Sequence, residues 1–184
     1  MRARSDTLPR RPAVALALAL AALLIAGCGG GDDTTPTSAA TTDLPTGPLS
    51  KSELVNEADQ LCADSTDRIL GEADPPSFGK DGPQPDEVEA SADFWRVTAG
   101  EGQVLVDQLS ELQPPKSEEQ QWAEYVRMLE TGTVDYANSL LGPAEDGDPD
   151  AFYQAAVDAQ KELVQLAKAS QRLGLKVCGN RDIG

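Results

Sequence analysis

Cys28, Cys62 and Cys178 are the only thiols in this 184-residue chain, and it contains no histidine at all. Without an imidazole there is no Ser-His or Cys-His pair to activate a nucleophile. The Glu-x-x-His ligand sets of di-iron bundles and histidine-based zinc sites are excluded for the same reason. Three glycines at 29–31 run into acids with no helix start after them, which is wrong for a phosphate loop. The acids of Glu145-Asp146-Gly147-Asp148-Pro149-Asp150 invite a calcium loop. An EF-hand beginning at Asp146 would need Gly where Ala151 stands and Glu where Val157 stands. A helix-capping turn accounts for those acids better. Two carboxylates suffice for a glycosidase, but with some 30 on solvated faces any pair is a chance pair. The expectation is a protein that is not an enzyme, with no metal and no cofactor.

Cys28 has a different setting. Arg2, Arg4, Arg10 and Arg11 face only Asp6, and an apolar stretch follows from Ala13 to Ala26. That is the layout of a secretory signal, too short for the roughly 20 residues of a membrane span. Its end, Ile25-Ala26-Gly27-Cys28, resembles the lipobox of bacterial lipoproteins. The resemblance implies cleavage before Cys28 and a lipid (palmitate or similar) on its thiol, which holds the mature chain on the outer face of the cell membrane. An ordinary signal peptide with a cysteine nearby is the plainer alternative. Arg10-Arg11 is a weak twin-arginine signal because Pro12 follows it.

The first 27 residues hold four of the 15 basic and one of the 31 acidic residues. Without them the chain carries 11 against 30, a net −19. Nucleic acid is excluded as a partner, because phosphate contacts need clustered Lys and Arg. Such a chain is also repelled by anionic lipid, so membrane attachment falls to the covalent anchor.

With Cys28 taken by lipid, Cys62 and Cys178 remain as a pair in a compartment that permits disulfides. Their bond closes a loop of over 100 residues, worth about 4–5 kcal/mol in the chain-entropy model. Two unpaired buried thiols are the alternative, and the less favoured state outside the cell.

These residues need elements to position them. Residues 28–49 are Gly, Thr, Asp, Ser and Pro with hardly an apolar side chain, and read as a disordered tether spanning about 25 Å. Residues 50–184 form one domain. A capping box at Ser50-Lys51-Ser52-Glu53 opens a first helix with Leu54, Ala58, Leu61, Cys62 and Ile69 on one face. A second starts near Pro85-Asp86, buries Val88, Ala92, Trp95, Ala99, Val106 and Leu109, and stops before Pro114-Pro115. Ser117 with Gln120 caps a third, whose face is Trp122, Tyr125, Val126, Leu129, Tyr136 and Leu140. Asp148-Pro149 opens a fourth, with a heptad seam of Phe152, Ala156, Ala159, Leu163, Leu166, Ser170 and Leu173 ended by Gly174. Short connections between four such helices predict an all-α, up-down-up-down four-helix bundle. Gly100, Gly102 and Gly132 fall at about the same height of the second and third helices, where they either let those two helices approach closely, the expected outcome, or leave a kink or cavity.

Glu57-Ala58-Asp59-Gln60-Leu61-Cys62, the Pro-Pro break after Leu112, Gly147-Asp148 before the fourth helix, and the closing Leu173-Gly174-Leu175-Lys176-Val177-Cys178-Gly179 resemble a group of secreted or lipid-anchored helical proteins of actinobacteria. The likeness covers most of residues 52–180, and its two cysteine-bearing ends are its specific part. It implies the bundle and the disulfide, and no activity.

Six of the eight aromatic residues fall at the bundle end away from the tether: Phe78, Phe94, Trp95, Tyr136, Phe152 and Tyr153. Neighbours such as Phe94-Trp95 and Phe152-Tyr153 diverge by about 100° on a helix, so both cannot face inward. One reading is a hydrophobic lid, with Phe78 folded over the rest. The other is a ligand or partner site under the 74–85 loop and the 142–147 turn, ringed by acids such as Asp74, Asp81 and Glu145. It would suit an apolar or cationic protein segment or small molecule. Two functions follow: an envelope-anchored binding or interaction module, or a structural, scaffolding lipoprotein without a small-molecule ligand.

Overall fold

The first helix begins where a serine hydroxyl can meet free helix amides. In the computed structural model, which describes residues 47–178 except residue 81, α1 (Lys51–Glu72) is closed by a complete capping box. Glu53 N–H donates to Ser50 Oγ at 3.3 Å, and Ser50 N–H to the Glu53 carboxylate at 2.8 Å. The Ser50 hydroxyl and backbone hold the Glu53 carboxyl below its ordinary pKa. Residues 1–46, which hold the expected signal peptide, Cys28 and most of the expected tether, lie outside the described residues.

Seven α-helices and one π segment form four antiparallel rods among the described residues, with no strand. The second rod is α2 (Pro85–Ala90) and α3 (Ala92–Glu111). The third is α4 (Glu119–Leu129), a π segment (Glu130–Asp135) and α5 (Tyr136–Glu145). The fourth is α6 (Pro149–Asp158) and α7 (Gln160–Leu173). Leu49 N–H bonds Gln113 O at 2.9 Å, Arg68 pairs with Glu101, and Arg96 pairs with Glu145. Each rod therefore runs opposite to its neighbour, as expected of an up-down-up-down four-helix bundle.

Four details depart from the sequence reading. The second helix is interrupted at Ser91, whose hydroxyl donates to Val88 O at 2.7 Å. The third begins at Glu119 with Glu118 as N-cap and no side-chain cap, so Ser117 does not play that role. It also extends through Pro143 to Glu145, leaving a shorter turn than 142–147. The fourth breaks at Ala159, where Ala156, Ala159 and Leu163 are only half-buried and the heptad seam weakens. Its ends match expectation: Asp148 Oδ1 accepts from Asp150 and Ala151 N–H, and Gly174 takes a left-handed φ of 89°.

The glycines separate. A Cβ on Gly102 would lie 3.0 Å from Thr133 Cγ2, so the second and third rods do approach closely there. A Cβ on Gly132 would instead lie 2.9 Å from Leu166 Cδ2, so that glycine admits the fourth rod rather than the second. Gly100 faces open space and mediates no approach.

Two hydrophobic cores result. The larger joins α1, α3, α4 and α7 around Leu54, Leu61, Leu109, Tyr125 and Leu173. The smaller lies at the other end, around Val88, Leu140, Ala144 and Phe152. The Tyr125 ring is fully buried and its hydroxyl has no hydrogen-bond partner among the described residues. Burial pushes the phenol pKa well above its usual value, and the Asp59 charge adds to this. Ser170 offsets part of the rise, but its own proton goes to Leu166 O, and it does not reach hydrogen-bond geometry with the phenol.

Candidate functional site

Phe152 is the first inward residue of the fourth rod, 5 % exposed, and the other rings gather around it. Trp95 meets it at 6.0 Å between centroids, Tyr136 lies 5.8 Å from Trp95, and Phe94 lies 5.2 Å from Trp95 at nearly a right angle. Phe78, 36 % exposed, comes down from the 73–84 loop to meet Phe152 edge-on at 5.5 Å. Edge-to-face arrangements suit the aromatic quadrupole, with the edge of one ring set against the face of the next. Five of the six rings singled out in the sequence are thus brought into one continuous group. The sixth, Tyr153, points away: it is 62 % exposed and makes no ring contact among the described residues.

The helix junction at Ser91 fixes the centre of this group. The Trp95 indole N–H donates to Ser91 Oγ at 3.1 Å, while that hydroxyl donates to Val88 O. Ser91 is 3 % exposed and uses both its donor and an acceptor site. Its role was missed in the sequence, although the four-residue spacing from Ser91 to Trp95 places both on one helix face. The loop is held too, since the Glu87 carboxylate accepts from Gly79 N–H at 3.3 Å and Gln84 N–H at 3.0 Å. Gly82, with φ 93°, makes the turn between them.

The acids at this end are partly committed elsewhere. Glu145 pairs with Arg96 at 2.9 Å, and Arg96 also binds Asp93. Asp148, in the stretch that invited a calcium reading, caps α6. Among the described residues no group of three or more acids and cysteines is arranged to hold a metal ion.

Cys62 and Cys178 are bonded, with Cα atoms 5.3 Å apart across 116 positions of sequence. The bond joins the tail after α7 to the fourth turn of α1. Asp59, one turn earlier on the same helix face, accepts hydrogen bonds from the backbone N–H groups of Lys176, Val177 and Cys178. The sequence placed Asp59 beside Cys62 but gave it no role.

No protein-family model, no curated protein and no solved structure matches this chain. The functional reading therefore rests on the geometry of its own aromatic end.

Proposed function

We propose that this chain is a lipoprotein, anchored through Cys28 to the outer face of the cell membrane. There the bundle serves as a binding module and presents its aromatic end to an apolar or cationic ligand or to a protein segment of that character. The observation that carries this is the ring group centred on Trp95 and held by Ser91, with Phe78 partly exposed at its edge. Half-buried aromatic rings offer both apolar area and π faces to a cation. The signal-like N-terminus and the unbalanced acidity support the address, since a net −19 chain needs a covalent attachment to stay on a membrane.

The experiment is a titration of the purified protein with benzyltrimethylammonium, which combines a ring with a quaternary cation. Binding is expected to perturb tryptophan fluorescence. Trp95→Ala is expected to lose it while the bundle keeps its helical circular dichroism. If fluorescence and calorimetry both remain flat at millimolar probe, the ring group is a packed lid and the structural, scaffolding reading stands in its place.

A further inference from the structure

A second apolar surface lies at the opposite end, where the chain enters the bundle. A groove of about 440 Å³ runs between α3 and α4, floored by Val106, Leu112, Trp122 and Val126 and edged by Pro114 and Arg127. Its size falls within the roughly 300–1,000 Å³ of small-molecule sites. Leu49, 9 % exposed, sits in the core beside it, with its N–H clipped to Gln113 O at 2.9 Å. Gln113 stands between Leu112 and Pro114, so the chain arrives at the lip of the groove.

We propose that the groove is covered by this chain's own residues Asp43-Leu44-Pro45, independently of what the aromatic end binds. Three observations converge on that occupant. Leu44 is the only large aliphatic residue between Cys28 and Leu49. It stands five residues before Leu49, within a reach of about 17 Å from the Gln113 clip. A proline at 45 and another at 48 disfavour helical backbone at the residue before each, which lowers the entropy lost on docking. The Arg127 guanidinium at the rim makes no ion pair among the described residues, although two acids, Glu119 and Glu130, also line the groove. It is available to the Asp43 carboxylate. Docking at Leu44 shortens the free tether to residues 29–43, about 21 Å on average rather than 25 Å.

The test is methyl and backbone NMR on the full chain. Leu44 methyls are expected to show cross-peaks to Val126 and to the Trp122 ring. Residues 43–46 are expected to have order parameters near about 0.85, against values below about 0.6 for residues 30–40. Leu44→Ser and Val126→Glu are each expected to abolish the cross-peaks and to bring residues 43–46 down to the tether's values. The α7 resonances report in both variants that the bundle remains folded. Low order parameters at 43–46 in the unaltered chain overturn the proposal. So does high order that survives both substitutions, because the segment then rests somewhere else.

Discussion

Asp59 Oδ1 accepts a hydrogen bond from Val177 N–H at 2.8 Å, although 118 positions separate the two residues. The same carboxylate takes the N–H groups of Lys176 and Cys178 at 3.0 and 3.2 Å. Past Gly174 the tail has no helix to satisfy its amides, and a carboxylate on α1 does so instead. Charge-assisted bonds of this kind are the stronger class. Carboxylate and disulfide thus fasten the same short tail to one turn of one helix.

Asp59→Ala is expected to lower unfolding free energy by about 1–3 kcal/mol. Hydrogen exchange at residues 176–178 rises in this variant while the disulfide stays intact, which separates the clamp from the covalent bond. Equilibrium urea unfolding and exchange mass spectrometry measure the two effects. An unchanged exchange rate at 176–178 contradicts the assignment.

Replacing both Cys62 and Cys178 by Ser is expected to cost about 2–5 kcal/mol, as for native disulfides that close long loops. The loss reads out as a lower denaturant midpoint with helical content kept at low temperature.

The mid-rod glycines Gly100 and Gly132 should respond differently to alanine. Gly100→Ala meets open space and gains helix propensity, so it stabilises by about 0.5–1 kcal/mol. Gly132→Ala places a methyl against the buried Leu166 and destabilises by about 1–3 kcal/mol. The pair Gly132→Ala/Leu166→Ala should fall short of the sum of its parts, because the second change removes the atom that the first one hits. Thermal melts of the parent, Gly100→Ala, Gly132→Ala, Leu166→Ala and the double variant decide this.

Tyr125 sets an alkaline limit. Its folded pKa is raised by burial above the value of about 10 for an unfolded tyrosine. The native state therefore keeps a proton that the unfolded chain gives up. The stability linked to this group is complete below about pH 10 and falls as pH rises toward the folded pKa. Tyr125→Phe should flatten that decline, with little change near neutral pH because the hydroxyl has no partner to lose. Unfolding free energies measured between pH 8 and pH 11 test the difference in slope, which vanishes if the phenol titrates normally.

For the proposed anchor, Cys28→Ser is expected to move the protein from the membrane fraction to the medium, or to leave it unprocessed. Intact mass of the wild-type chain should show a lipidated Cys28 at its N-terminus. An unmodified Cys28 or a mature chain beginning elsewhere refutes the assignment.

Much of the bundle could be read from the sequence because its rods obey ordinary helix grammar. Ser50 with Glu53, Asp148 with Pro149, and Gly174 each sit where capping chemistry puts them. The third rod escaped that grammar at one point. Its buried positions run Leu129, Gly132, Val134 and Ala137, and the step of two from Gly132 to Val134 falls inside the π segment, where a 3.6-residue period slips. Ser91 was hidden by a similar cause. Its break rests on a local side-chain bond to Val88 O that competes with helix continuation. At the aromatic end, the divergence of Phe152 and Tyr153 was legible from helical angles, but which of the two would face inward was not. Asp59 illustrates a further limit, since its partners lie in the tail and are brought near only by the folded chain.

The Cys62–Cys178 bond has a mechanical consequence. Tension applied between the two ends of the described chain enters at residue 47, travels along α1 as far as Cys62, and crosses directly to Cys178. The residues enclosed by the bond carry none of that load, so three of the four rods lie outside the line of force. Only residues 47–62 can be drawn out, at most about 3.5 Å for each. A pull through the N-terminal tether would peel the first turns of α1 and then stop at a covalent knot. The aromatic end, on the far side of that knot, would keep its shape while the N-terminal end gives way.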